Sequence, residues 1–148
     1  MKRILMTLAA STAAALSLVP AADAAPGATN RAEIIGVVKA GPDATATVRA
    51  RYTCEDGFHL WVSAKQVADR SRNPILEEEG SSQHAAGYLQ NHPSPGTFTC
   101  DGRWHTDTFT IDKSEQGKGR LERGHAWVQF CLVGETSFIS ESRWVHVR

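Results

Sequence analysis

Alternation of apolar and polar residues with a period of two is the dominant pattern of this chain. Between Thr45 and Cys54, small or apolar side chains face one way, while threonine and arginine side chains face the other. This period is typical of a β-strand with one buried and one solvated face. The same alternation returns over Phe58–Val67 and over Gly124–Val133, which is the most apolar stretch after the N-terminal region.

Weaker patterns predict the remaining strands, and turn signals such as Glu55-Asp56-Gly57 separate them. These strands are expected at 33–39, near 87–89, at 97–100 with 104–111, and at 142–148. No segment after the N-terminal region has the apolar repeat of a long helix. About seven short strands with frequent turns predict an all-β, antiparallel two-sheet sandwich of Greek-key type.

The N-terminus has the layout of a signal peptide. A basic start, Met1-Lys2-Arg3, precedes an apolar stretch, and Ala22-Asp23-Ala24 has the small-x-small form of a cleavage site. We therefore predict a signal peptide over 1–24, a disordered lead-in over 25–31 and one domain over 32–148. The apolar stretch is short for a membrane span. The mature protein is expected to be secreted and extracellular, with no membrane span.

Charge excludes two classes of partner. The 148-residue chain has 16 basic and 16 acidic side chains, and removal of Lys2, Arg3 and Asp23 with the leader leaves 14 and 15. A nucleic-acid binder needs a basic face to displace counterions from phosphates. A near-neutral chain argues against that function and against electrostatic attachment to a membrane surface.

Three cysteines allow one disulfide and one free thiol. We favour Cys54 with Cys100, because each directly precedes a turn and both would then lie at one end of the sandwich. The alternative is Cys54 with Cys131, the arrangement of antibody domains, but Trp61 follows Cys54 too closely to be the tryptophan that packs on such a bridge. In the favoured pairing Cys131 is a buried free thiol.

Four pieces of the chain form a pattern that resembles a known group of proteins. They are Tyr52-Thr-Cys54, Trp61–Gln66, Cys100-Asp-Gly-Arg-Trp-His-Thr106 and Arg123–Ala126. The pattern is similar to that of small secreted actinobacterial proteins with an immunoglobulin-like sandwich and no known function. The resemblance covers about Ala44 to Val133 and is specific mainly at Cys100 to Thr106. It implies an immunoglobulin-like fold, export and the Cys54–Cys100 bridge, but no activity or cofactor.

No motif indicates catalysis or metal binding. The six histidines include no His-x-x-x-His pair, and there is no Cys-x-x-Cys pair. Ser81 and Ser82 lie near His84 without a nucleophile elbow, and the run Glu77–Glu79 is typical of a solvated tip. We therefore expect no enzyme activity, no metal and no cofactor.

Two groups of residues remain as candidates. Asp101, Gly102 and His105 are predicted to form a structural corner, in which Gly102 supplies the unusual backbone angle and His105 bonds the turn. The alternation places three tryptophans on the face of their strands that points away from the core, namely Trp61, Trp127 and Trp144. They predict a binding surface unless the long 68–96 connection covers them.

These patterns leave two hypotheses for the function. The first is a non-catalytic binding or cell-exterior module whose partner is either an extracellular protein or a carbohydrate. The second is a secreted protease inhibitor, or a small hydrolase, that acts through the 68–96 loop.

Overall fold

The computed structural model describes residues 30–148 of the protein. The predicted signal peptide and most of the predicted lead-in lie outside the described residues. Arg31 falls in the predicted lead-in, and it pairs with Thr53 in a strand ladder. The first strand therefore begins one residue before the predicted start of the domain.

Seven β-strands form the domain, and the described residues contain no α-helix. Two short 3₁₀ helices, Pro74–Glu77 and Ser81–His84, lie in the connection between the third and fourth strands. The strands are β1 Arg31–Ala40, β2 Ala46–Thr53, β3 His59–Gln66, β4 Gly87–Asn91, β5 His105–Ile111, β6 Gly124–Val133 and β7 Phe138–Val147. The prediction of an all-β domain is confirmed.

The strands form one curled sheet in the order β4-β3-β6-β7-β1-β2-β5. Five of the six pairings are antiparallel. The sixth is parallel, between Val38 of β1 and Val147 of β7, so the sheet is mixed and not wholly antiparallel as predicted. The register of β1 against β2 shifts at Gly36, whose φ of +72° favours glycine. Strand β1 pairs with β2 on one side and with β7 on the other.

The inner face of the curled sheet holds the main core. The alternation predicted from the sequence is confirmed here, because the inward side chains of β2 and β6 are buried. These inward residues are Ala46, Val48, Ala50, Tyr52, Ala126, Val128, Phe130 and Leu132. The centroid of the Tyr52 ring lies 6.1 Å from that of Phe109 and 5.6 Å from that of Phe130. The Tyr52 hydroxyl donates to Asp107 at 2.6 Å. Burial, the largest cause, raises the pKa of Tyr52 well above its usual value.

One predicted strand does not form. Residues Thr97–Cys100 make no strand ladder, and β5 begins only at His105. A turn holds the start of this segment through the Thr97 N–H bond to Ser94, and the disulfide holds its end. The β-branched composition of the segment is overridden by these two tethers.

The Cys54–Cys100 bridge predicted from the sequence is confirmed, with the two Cα atoms 4.7 Å apart. Next to it, the Gly102 N–H donates to the Cys54 carbonyl at 2.8 Å. Cys131 is free and buried, and burial raises the pKa of its thiol. As for membrane insertion, no helix between residues 30 and 148 has the length and apolarity that a bilayer crossing requires.

Replacing both bridge cysteines by alanine should lower the free energy of unfolding by about 4 kcal/mol, because the bridge closes a loop with a sequence separation of 46. Urea unfolding of Cys54→Ala/Cys100→Ala measures this loss, and Cys131→Ala is the control. If the double variant were as stable as the control, the bridge would not constrain the unfolded chain as argued here.

Candidate functional site

The connection between β3 and β4 lies against the outer face of the sheet. We call residues 68–86 the covering segment. Its first 3₁₀ helix begins with Pro74, and the Asn73 side chain accepts the Ile75 N–H at 3.2 Å, so the turn is capped. Leu76 of this helix is fully buried against Ala85 and Tyr88. The segment is thus packed against the sheet through a small apolar core of its own.

Backbone and side-chain hydrogen bonds fix the covering segment to the strands beneath it. At its two ends, the His125 N–H donates to the Arg70 carbonyl and the Ala86 N–H donates to the Gln66 carbonyl, both at 2.9 Å. In its middle, the indole Nε1 of Trp144 donates to Glu77 at 2.7 Å. These contacts tie the segment to β3, β6 and β7.

A buried lysine makes the most unusual of these contacts. The Lys65 ammonium on β3 donates to Ser81 Oγ at 2.7 Å, and Ser81 Oγ in turn donates to the Leu76 carbonyl at 3.0 Å. Lys65 is only 4% exposed and Ser81 only 2%. Burial lowers the pKa of Lys65 because the charged form is poorly solvated there.

The structure brings two of the three candidate tryptophans together. Trp127 and Trp144 are direct partners across β6 and β7, with ring centroids 5.5 Å apart. Both rings are half-buried and pack against the Leu76 cluster of the covering segment. Both tryptophans therefore lie on the outer face, as predicted, but the covering segment packs over them. An open platform of three tryptophans does not form.

Trp61 lies apart from this pair. It pairs with Cys131 in the register of β3 and β6. Its ring stacks on His92 with a centroid distance of 6.2 Å, and its Nε1 donates to the Gln90 side chain at 3.3 Å. These contacts hold the half-buried indole at the side of a groove.

This groove, between the covering segment and the exposed part of the outer face, has a volume of about 420 Å³. Its lining is of two kinds. Trp61, Tyr88 and Phe138 supply aromatic surface, and polar groups stand among them, including Lys65, Glu79 and Gln129. Phe138 is 65% exposed, which is unusual for a phenylalanine. We treat this groove as the candidate site.

Sequence reasoning missed several residues of this site. The alternation over Phe58–Val67 predicts an outward, solvent-facing Lys65, and the structure places it outward but buried. The sequence indicates Ser81 only as a nucleophile near His84, and Phe138 lies outside the strand predicted at 142–148. The alternation along β3 and β7 places Lys65 and Phe138 on the outer face. It does not predict which segment covers that face.

The predicted corner residues lie beside the disulfide. Asp101 Oδ1 is 2.7 Å from His105 Nε2 and accepts the Arg103 N–H at 3.0 Å, while Gly102 has a φ of +75°. The hydrogen bond with His105, the largest cause, lowers the pKa of Asp101. None of the three residues lines the groove.

Two histidines of the outer face lie side by side. The rings of His125 and His146 are cross-strand neighbours with centroids 4.2 Å apart. Desolvation, together with the charges of His146 and Arg72, lowers the pKa of His125. Over residues 30–148, no group of three or more histidine, cysteine, aspartate or glutamate side chains is placed to hold a metal ion.

The comparisons with known proteins add no relative. No family of known proteins matches the chain, and no curated protein sequence matches it. The resemblance to small secreted actinobacterial proteins therefore stays a prediction that rests on the motifs themselves.

Truncation of the Leu76 side chain should loosen the covering segment. A fully buried leucine shortened to alanine typically costs about 2–5 kcal/mol, and here the loss should fall mainly on the local attachment of residues 68–86. Limited trypsin digestion of Leu76→Ala should show faster cleavage at Arg70 and Arg72 than in the wild type. Glu78→Ala, at an exposed position of the same segment, is the control. Equal cleavage rates in the two variants would contradict this packing.

The corner should contribute stability that depends on pH. The folded-state pKa of Asp101 lies below its usual 3.8, so its contribution is present at neutral pH and is lost as the pH falls through the folded pKa. Asp101→Asn keeps an acceptor oxygen but removes the charge. The variant should melt below the wild type at pH 7, and the difference should shrink as the pH falls through the folded pKa of Asp101. Thermal unfolding across this range checks the prediction, with Glu135→Gln in the exposed β6–β7 turn as the control. A constant difference at every pH would contradict it.

Proposed function

We propose that the curled sheet is an immunoglobulin-like two-sheet sandwich and that the protein is secreted. The strand order supports this fold, since β5, β2 and β1 can form one layer and β4, β3, β6 and β7 the other. Val48 and Ala50 of the first group share one core with Val128 and Phe130 of the second. The signal-peptide pattern and the disulfide, which is compatible with an oxidising compartment, support export.

We propose that the function of this secreted domain is to bind a carbohydrate in the groove without turnover. The observation that carries the proposal is the mixed lining of the groove. Pyranose rings present flat C–H faces, which pack on aromatic side chains, and a rim of hydroxyls, which need hydrogen-bonding partners. Trp61 and Phe138 supply the first kind of contact, and Gln129 and Glu79 supply the second.

The geometry gives less support to the protease-inhibitor alternative. Inhibitory loops are presented away from the body of the protein. The covering segment instead lies along the sheet, with Leu76 buried and Ser81 bonded to Lys65. Hydrolysis by paired carboxylates also finds little support, because Glu77 is engaged by the Trp144 indole.

Carbohydrate binding can be tested by affinity electrophoresis in gels that contain neutral and acidic cell-wall polysaccharides. Trp61→Ala and Phe138→Ala should weaken retardation about tenfold, because each removes aromatic surface from the groove. Trp104→Ala is the matched control. Trp104 is exposed, as Phe138 is. Its ring lies 4.4 Å from the Arg51 guanidinium and outside the groove.

Two results would contradict the proposal. One is the absence of retardation on every polysaccharide. The other is an equal effect of Trp61→Ala and Trp104→Ala, because a general loss of aromatic surface would then explain the data.

A further inference from the structure

Lys65 places an incompletely bonded positive charge in the wall of the groove. This residue lines the groove with Trp61, Tyr88 and Phe138, yet only 4% of its surface is exposed. Building on the proposed function, we propose that the bound sugar is acidic and that its carboxylate pairs with the Lys65 ammonium.

The first step concerns the hydrogen bonds of the ammonium. An ammonium has three N–H donors. In the part of the chain that the structure describes, Lys65 makes one side-chain hydrogen bond, to Ser81, and no ion pair. Buried charges are normally paired, because an unpaired one loses its hydration without compensation. A carboxylate that enters the groove would supply the missing acceptor.

The second step concerns Ser81, which positions the lysine. The Ser81 hydroxyl donates its own proton to the Leu76 carbonyl, so only its lone pairs face Lys65. Ser81 therefore holds the ammonium without neutralising it. The positive charge is fixed by the covering segment and remains available to a ligand.

The third step concerns the aromatic residues around the charge. Tyr88 is the direct cross-strand partner of Lys65. Its hydroxyl donates to Gln90 Oε1 at 2.5 Å, and the same oxygen accepts the Trp61 indole N–H at 3.3 Å. One amide thus orients both rings in the groove that Lys65 also lines, so the aromatic surface and the cation belong to one pre-organised site.

The fourth step concerns the carboxylates of the groove, which set the orientation of the ligand. Glu77 and Glu79 line it as well, but neither forms an ion pair with Lys65 among the residues described. Glu77 accepts the Trp144 indole N–H instead. An acidic sugar would be repelled from the glutamate side and attracted to the lysine, so its carboxylate has one favourable position.

Isothermal titration with a matched pair of probes tests this inference. The probes are trisaccharides of galacturonate, mannuronate and glucuronate, each as the free acid and as the methyl ester. The wild type should bind one of the acids about tenfold more tightly than its ester, since hydrogen bonds to charged groups are the stronger ones. Lys65→Met should remove this preference by weakening the acid alone.

The control variant is Lys118→Met. Lys118 is also a lysine bonded to the covering segment, through the Gln83 carbonyl at 3.1 Å, but it is exposed and lies outside the groove. It should keep the preference for the acid. Glu79→Gln should strengthen binding of the acid relative to the ester, because it removes a repulsive charge and keeps a side chain that can bond to sugar hydroxyls. This variant also provides a test if Lys65→Met does not fold.

The outcomes separate the two proposals. Equal affinity of the wild type for acid and ester overturns the role of Lys65 and leaves carbohydrate binding in place. Binding only to neutral polysaccharides does the same. If Lys65→Met and Lys118→Met lose the preference equally, the charge acts through the overall field and the specific pairing is overturned. If no sugar of any kind is bound, both proposals fail.

Discussion

The candidate site depends on one constraint, which is that the outer face of β3, β6 and β7 must be covered. This face carries Trp127 and Trp144, two large rings that would leave much apolar surface in water if the strands stood alone. Leu76 of the covering segment packs against these rings, and Glu77 accepts the indole N–H of Trp144. Because it covers only part of the face, a groove remains beside it. The groove is therefore a consequence of how the tryptophans are buried.

A second consequence is the burial of Lys65. The lysine lies directly across from Trp127 in the β3–β6 register and from Tyr88 in the β3–β4 register. Any segment that shields these rings also removes water from the ammonium, and the cost of this desolvation is offset in part by Ser81. A lysine in this setting is a poor contributor to stability, which is why its position in the groove suggests a role in binding.

The extent to which the sequence predicted the structure differs between local and non-local features. The alternation over Gly124–Val133 located β6 with the correct bounds, because the burial of a strand face repeats every second residue. The turn residues after Cys54 and Cys100 favoured the correct bridge. Thr97–Cys100 is predicted as a strand, but a local turn to Ser94 holds its start, and the disulfide to Cys54, a contact distant in sequence, holds its end. The packing of Leu76 over Trp127 also joins residues distant in sequence. The alternation along a strand predicts the face on which a side chain lies, but not which residues pack against it.

The packing of the covering segment on the sheet is tested most directly by nuclear Overhauser effects. The relevant cross-peaks join the indole protons of Trp127 and Trp144 to the methyl groups of Leu76 and Ile75. We expect strong cross-peaks and upfield-shifted methyl resonances, because these side chains belong to one packed cluster. Methyl groups at random-coil positions, without cross-peaks to either indole, would show that residues 68–86 do not lie on the sheet, and the groove with its buried lysine would then not exist.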